Sequence, residues 1–565
     1  MPRSRALLSL AVLIALASSG CGAGLRRFPL REPLWLDDDM RAFGPPPEEW
    51  YSPFVWDGVD NSTFRPLSEA FALELDRESV DVNAMDEVPS SSWYTNRLAT
   101  EALSPERVAR GACEDEDPEV PGIDDDVRGP LTITRGKPDG STPGFIVRDA
   151  QGRMYLMKPD GELQPERAPA ADAIGAAVFW AAGFHTPCNR VVLVARADLE
   201  LDPGAEVRRT DGRREPLTPE MVEHIVERAS LSPDGRLRFS LSRFVDGQPI
   251  SPWRYEGTWD EDPNDVIPHQ HRREVRAMYV LSSWLSHIDS RQENTMASWT
   301  AGEDGRGHVR HYMIDFSDTL GIVHTWGTLS RRFGHSGYVD FGHMAEDFVT
   351  LGLLDRPWHH AAYGPTGATL GYYDVEHYQP DAFRPGYPNP AYERMTELDA
   401  AWMARILARF SDAHLRALVE RARLSRPEWQ SALFSVLRGR RDRALERWLT
   451  RRSPLTEPRI TEDGSLCLED RAVSSGVRPA STRAYRARAY EGSRLEPREL
   501  PARARAARVC VALRGAPEGY LVIDVIASTR DRETTGPLRV HAHVEGSRAR
   551  VVGLERPEGA EAPRP

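Results

Sequence analysis

The run from Pro130 to Pro187 constrains the fold more than any other stretch of this chain. "PLTITRG", "FIVRD" and "MYLMKPD" are short alternating segments, separated by the glycine-bearing "KPDGSTPG" and the tight "AQGR". Period-two alternation bounded by turn residues specifies strands. Directly after them comes "ERAPAADAIGAAVFWAAGFHTP", where Pro169 suits a first helical turn, Ile174, Val178 and Ala181 line one face, and Gly183 provides the stop. "NRVVLVAR" and "RLRFSLSRFVDGQPI" read as further strands, with the helical "TPEMVEHIVERAS" inserted between them. Strands that enclose a single helix and are followed by a helical region give an α+β fold, not a repeating βα one.

From residue 268 the period changes to 3.6. "PHQHRREVRAMYVLSSWLSH" sets Val275, Met278, Tyr279, Ser282 and Leu285 on one helical face, and "ELDAAWMARILARFS", "DAHLRALVERAR" and "WQSALFSVLRGRRDRALERWLTRR" continue the helical texture. Residues 322 to 395, rich in Gly, Pro, His and Tyr, read as long ordered loops. After "SPLTEP" short alternating runs return ("SLCLED", "ARVCVALR", "YLVIDVIAS"), which predicts a small β module over residues 459–555 and a disordered tail over 556–565. Residues 22–127 read as an irregular acidic extension held by a few aromatics such as Trp93. At 565 residues, several domains are expected.

The first 21 residues, "MPRSRALLSLAVLIALASSGC", combine two arginines, an apolar run too short to span a bilayer, and small residues before a cysteine. They read as an export signal with a lipobox-like end. The expectation is a membrane-anchored lipoprotein, periplasmic or at the cell surface, tethered through a lipidated Cys21. The remaining Cys113, Cys188, Cys467 and Cys510 would then meet an oxidising compartment. Three pairings are open; Cys467 with Cys510 is favoured, because both lie in strand-like runs of one segment.

A net charge of −13 excludes nucleic acid as the main partner. Among 72 basic residues only Lys137 and Lys158 are lysine. A bias that has made every other base Arg leaves these two as candidates for roles that need a primary amine, since a guanidinium differs in shape and hydration.

The chemistry-bearing stretches are "SHIDSRQENT", which follows the helix ending near Leu285, and "YMIDFSD" twenty residues later. With Lys158 at the end of a third strand just ahead of a helix, the order and spacing of these residues resemble the divergent protein-kinase-like fold: HipA-type kinases, type II phosphatidylinositol 4-kinases and secretory-pathway kinases. The resemblance spans roughly residues 128–450. It implies a β-rich lobe over 128–250 and a helical lobe over 251–452. It implies Asp289 as the catalytic base, Asn294 and Asp315 as ligands of Mg²⁺ (or Mn²⁺), and Lys158 on the ATP phosphates with Asp172 as its helix carboxylate. The loop over the phosphates would be "GKPDGSTPG", with Gly136, Gly140, Gly144 and Lys137. This chain departs from the family in having Asp172 where a Glu is usual, with Glu162 and Glu166 as upstream competitors, and in lacking G-x-G-x-x-G. The implied activity is Mg²⁺/ATP-dependent transfer to a hydroxyl of a protein, lipid or carbohydrate acceptor.

Two other readings stand beside it. One is a nucleotide-binding pseudokinase or a non-catalytic surface-binding lipoprotein. The other is a metal-dependent hydrolase, because eleven of the 16 histidines fall between residues 269 and 377.

Overall fold

The computed structural model describes residues 26–48, 54–69, 77–114, 130–137, 143–161, 163–208, 213–324, 327–491, 495–513, 515–529, 535–546 and 548–559. The protein is α+β and carries several sheets. Its contacts divide it into two compact units. One comprises residues up to Pro33, Ala84–Asp86 and everything from Arg452; the other runs from Leu34 to Asn83 and from Glu87 to Arg451.

The larger unit contains the strand meander read from the sequence. Strands β1 (Leu131–Lys137), β2 (Gly144–Arg148) and β3 (Met154–Lys158) pair antiparallel in succession. Strands β4 (Asn189–Val194), β5 (Leu199–Arg208), β6 (Arg214–Pro216) and β7 (Leu237–Arg243) complete a seven-stranded sheet in the order β4-β7-β3-β2-β1-β5-β6. Its apolar face gathers Ile133, Phe145, Met157, Val192, Phe239 and Leu241 into one core. Glycine matters at one point of this meander. A Cβ on Gly144 would lie 2.4 Å from the Met157 carbonyl oxygen and 3.1 Å from Lys158 Cγ, so only glycine lets β2 pass beside the Lys158 stem.

Before the sheet, residues 77–83 and 87–114 belong to this unit. Trp93 is buried and stacks on His311 with centroids 3.5 Å apart. A short helix, α1 (Pro105–Arg110), capped by Ser104, packs beside the long helix that follows β3. That long helix, α2 (Arg167–Ala182), ends at Gly183 as its sequence signals, but every one of its residues is buried. The single apolar face inferred from Ile174, Val178 and Ala181 understates it: alanine-rich and apolar on all sides, α2 is a core helix.

The insertion between β5 and β7 carries α3 (Pro219–Val226). Next, β8 (Gln248–Ser251), β9 (Thr295–Ala301) and β10 (Gly307–Met313) form a three-stranded sheet in the order β10-β9-β8. Between β8 and β9 runs α4 (Arg273–Leu285), also buried throughout. Two of its arginines are compensated: Arg273 and Arg276 both pair with Asp399, at 3.3 and 3.4 Å. Among the loops of 322–395 is α5 (Phe341–Val349), and α6 (Glu397–Leu407), α7 (Asp412–Arg421) and α8 (Pro427–Trp448) close this unit.

The smaller unit is a two-sheet β structure. Strands β11 (Leu455–Ile460), β12 (Ser465–Asp470), β15 (Ala502–Arg505) and β16 (Arg508–Ala512) form one sheet; β13 (Arg483–Glu491), β14 (Glu496–Leu500), β17 (Gly519–Thr529), β18 (Leu538–Glu545) and β19 (Arg548–Glu555) form the other. One apolar cluster draws on both sheets, with Leu466, Val509, Ile523 and Val540 at its centre. Cys467 and Cys510 face each other across β12 and β16 and are bonded, as the sequence favours. The second disulfide joins Cys113 to Cys188.

Candidate functional site

The site forms where three pieces of the larger unit meet: the end of β3, the loop after α4, and the turn after β10. The loop after α4 is fixed from the helix end outward. Ser286 takes a left-handed conformation (φ 54°) and ends the helix. Arg440 donates to the carbonyls of Ser283 and Trp284, and the Tyr373 hydroxyl also donates to Trp284, so the open C-terminal carbonyls are satisfied. Further along, Gly386 N–H donates to the Ile288 carbonyl and the Asn389 amide donates to that of Ser290.

Within this loop Asn294 Nδ2 donates to both the backbone oxygen and Oδ2 of Asp289, each at 2.8 Å. Arg291 Nε lies 3.0 Å from Asp289 Oδ1, and its guanidinium sits 5.4 Å from the Tyr387 ring centroid. The Asn294 carbonyl accepts from Ile314 N–H at 3.0 Å, which ties the loop directly to the residue before Asp315.

Asp315 has φ +56°, a left-handed conformation that is costly for a residue with a Cβ and recurs at functional sites. Lys158 Nζ donates to Asp315 Oδ1 at 2.7 Å, and Ser317 Oγ donates to the same oxygen at 2.6 Å. The lysine side chain is 4% exposed and the aspartate 30%, so the ammonium is enclosed while the carboxylate reaches solvent. Burial works against the Lys158 charge, but the fields of Asp315 and Asp172 outweigh it and hold its pKa above the usual value. Asp315 shows the converse: burial is outweighed by Lys158 and then Lys137, and the carboxyl is held well below the usual range. Lys137 lies close enough to join this field; burial, then the Lys158 charge, depress its own pKa. Lys158 thus pairs with Asp315 directly, and the charge of Lys137 reaches the same carboxylate through space.

Asp172, on α2, is buried beside them but is not in hydrogen-bond contact with Lys158. It accepts from Asn189 Nδ2 at 3.0 Å, from Phe316 N–H at 3.1 Å and from the Ser240 hydroxyl. It thus pins the backbone just after Asp315 and acts on Lys158 through its field. Glu166 is engaged elsewhere, by Ser425 and Arg238. Of the three candidate phosphate-loop glycines, Gly144 clears space for Lys158. Gly136 lies within β1 and lets Val207 and Leu217 approach. Gly140 falls outside the described residues, as do Glu162 and Cys21.

The sequence reading missed Asp318 and Arg167, and saw His287 only as one of the clustered histidines, beside Asp289. Asp318 closes the turn after Asp315; burial, then the charges of Asp289 and Asp315, push its pKa up to about 7. Arg167, the first residue of α2, clamps that turn by donating to the carbonyls of Ser317 and Thr319 at 2.6 and 2.8 Å. His287 is fully buried with neither ring nitrogen partnered, is lowered by burial to about 4, and packs against Phe316, which also packs on Phe179 of α2. The second Asp of "DFSD" was the visible signal for Asp318; nothing in the sequence marked Arg167.

The histidines do not gather around a metal. His269 spans the Arg254 carbonyl and Asp265, and His311 lies stacked under Trp93. Among the described residues no cluster of three or more His, Cys, Asp or Glu is arranged to hold a metal ion. Beside the Asp289 loop lies a cleft of about 570 Å³, with Tyr387, Tyr392, Phe383 and Trp448 among its lining residues. It adjoins the loop through Tyr387 and does not include Lys158 or Asp315.

Compared by sequence with known protein families and with curated proteins, the chain matches no family model and no curated protein.

Proposed function

We propose that the larger unit is a two-lobed, kinase-like phosphotransferase that moves a phosphoryl group from Mg²⁺-bound ATP to a hydroxyl acceptor. The observation that carries this reading is the 2.7 Å pairing of Lys158 with Asp315, itself in a left-handed conformation and tied through Ile314 to the Asp289–Asn294 loop, with the field of the chain's other lysine, Lys137, added to it. The β1–β7 sheet with α2 corresponds to the β-rich lobe, and α4 with α6–α8 to the helical one.

The residues present suit such a nucleotide. The hydrogen bonds to the Asp315 side chain, from Lys158 Nζ and from the Ser317 hydroxyl and N–H, all fall on Oδ1, which leaves Oδ2 for a cation, and Asn294 is tied to the same turn through its backbone carbonyl. Lys158 and Lys137 supply ammonium charge for phosphate oxygens. Mg²⁺·ATP would supply the transferable group and neutralise charge on it. Asp289, aligned by Asn294 and Arg291, orients the acceptor hydroxyl and takes its proton. Arg167 and Asp172 hold the Asp315 turn in place.

The purified protein titrated with Mg-ATP, Mn-ATP and Zn²⁺ tests this by thermal shift. Nucleotide with Mg²⁺ or Mn²⁺ should stabilise it, approaching about 2.7 kcal/mol near 100 Kd. A shift with Zn²⁺ alone would reject the reading in favour of a metallohydrolase.

A further inference from the structure

Helix α5 and the loop after it expose an unusual amount of apolar surface. Phe348, Val349, Leu351 and Leu353 are 83, 79, 84 and 84% exposed, and Phe341 and Met344 about half. Phe341, Met344 and Phe348 recur at i, i+3 and i+7, so they share one helical face. The opposite, polar side is held in place. Arg356, itself buried, pairs with Glu346 at 2.9 Å and with Asp347 at 2.7 Å, and donates to the His343 carbonyl. Asp340 caps the first turn. The fold therefore fixes α5 by its charged side and presents the apolar side outward.

A second segment brings the same chemistry to the same place. Residues 54–69 expose Trp56, Phe64 and Leu67, each above half. Pro66 of this segment and Phe341 of α5 line one cleft, the one that adjoins the Asp289 loop through Tyr387. An apolar rim drawn from two distant parts of the chain thus flanks that cleft. Exposed apolar surface concentrated near a cleft in this way marks an interaction site.

We propose that this rim docks on a zwitterionic phospholipid bilayer, so that the cleft beside Asp289 opens at the lipid surface. The bilayer is the occupant that fits the rest of the chain. Its sequence predicts export and lipidation at Cys21, upstream of the 54–69 segment, and a tethered protein meets membrane at high effective concentration, where a modest apolar contact suffices. The rim is rich in Phe and Leu and includes Trp, residues that suit the interfacial region. On α5 its charged neighbours Asp340, Glu346 and Asp347 are acidic, and the nearby arginines Arg356, Arg65 and Arg447 are each engaged by carboxylates, which disfavours anionic headgroups. The docking rests on the export reading, not on phosphoryl transfer.

The test uses the full chain carrying Cys21→Ser, with an environment-sensitive fluorophore on a single introduced thiol. With Leu351→Cys, phosphatidylcholine vesicles should give a blue-shifted emission that a lipid-borne quencher removes. With Leu231→Cys, exposed but outside the rim, they should not. Because both chains keep the same leader, an equal response at both positions overturns the proposal. So does no response at 351, a larger response to phosphatidylglycerol vesicles, or a shift at 351 that grows with protein concentration in the absence of lipid, which would make the occupant a second copy. The triple variant Phe348→Ser, Leu351→Ser, Leu353→Ser, which keeps the same leader, should melt like the parent and co-sediment with vesicles less than it does; co-sedimentation equal to the parent's overturns the proposal. ATP turnover plays no part in these readouts, so their failure is separable from failure of the phosphotransferase reading.

Discussion

At the residue scale the roles divide by chemistry. Asp289→Asn removes the proton acceptor but keeps the shape that Asn294 and Arg291 recognise, so activity should fall by roughly 10²–10⁴ while the Mg-ATP thermal shift persists. Asp315→Ala should abolish that shift, and equal nucleotide affinity in both variants would refute the division. Lys158→Arg keeps the charge and follows the bias of the whole sequence. A guanidinium cannot occupy the 4%-exposed space of the ammonium against Asp315 and Asp172. Turnover should drop by about 10²–10³. The same swap at Lys137, only partly buried, should be milder, and full activity in Lys158→Arg would remove the main support for phosphoryl transfer. Asp318 carries a pH signature. Its folded pKa is raised to about 7 by burial and by Asp289 and Asp315, against opposing fields from Arg167 and Lys158. A raised carboxyl lends stability that is complete below its unfolded pKa and is lost as pH rises through its folded one. Between about pH 4 and 7 the parent should therefore lose stability relative to Asp318→Asn. Denaturant midpoints of the two proteins across that window, if parallel, would contradict the assignment.

At the scale of elements, the strands β1 to β3, helix α2 with its Gly183 stop, and the helix leading to the Asp289 loop were legible because local periodicity and turn residues coincide with the final packing. What periodicity could not show is burial on all sides. In α2 small residues occupy the positions between the apolar ones, so one stripe stands out although the whole surface is covered. Nor could it show that Asp172 would serve Phe316 N–H, Ser240 and Asn189 instead of contacting Lys158, since those partners come from β7, β4 and the turn after β10. One close approach of α2 is equally non-local: a Cβ on Gly175 would stand 2.5 Å from Phe316 Cβ. Gly175→Ala must push away the residue adjoining Asp315. It should cost about 1–3 kcal/mol and weaken the nucleotide-linked thermal shift. Unchanged melting and an unchanged shift would mean that α2 does not set the position of Asp315.

Across the whole molecule, the export-signal-like N-terminus implied an oxidising compartment and the sequence favoured the Cys467–Cys510 disulfide; the pairing of Cys113 with Cys188 needed the fold. Cys113 follows α1, in a segment whose acidic, Pro-broken sequence reads as irregular, and what orders that segment is contact with helices far along the chain, such as α7. The bond anchors it next to Asn189, the donor to Asp172, so the covalent link lies two residues' contacts from the Lys158–Asp315 pair. With a sequence separation of 75, the bridge should contribute about 4 kcal/mol by restricting the unfolded chain. Cys113→Ser with Cys188→Ser should lower the denaturant midpoint accordingly and reduce the Mg-ATP-linked shift, through loss of support for Asp172. Cys467→Ser with Cys510→Ser, whose bridge lies within the smaller unit, should leave that shift intact. If the two pairs of substitutions affect nucleotide binding equally, the first disulfide has no special connection to the site.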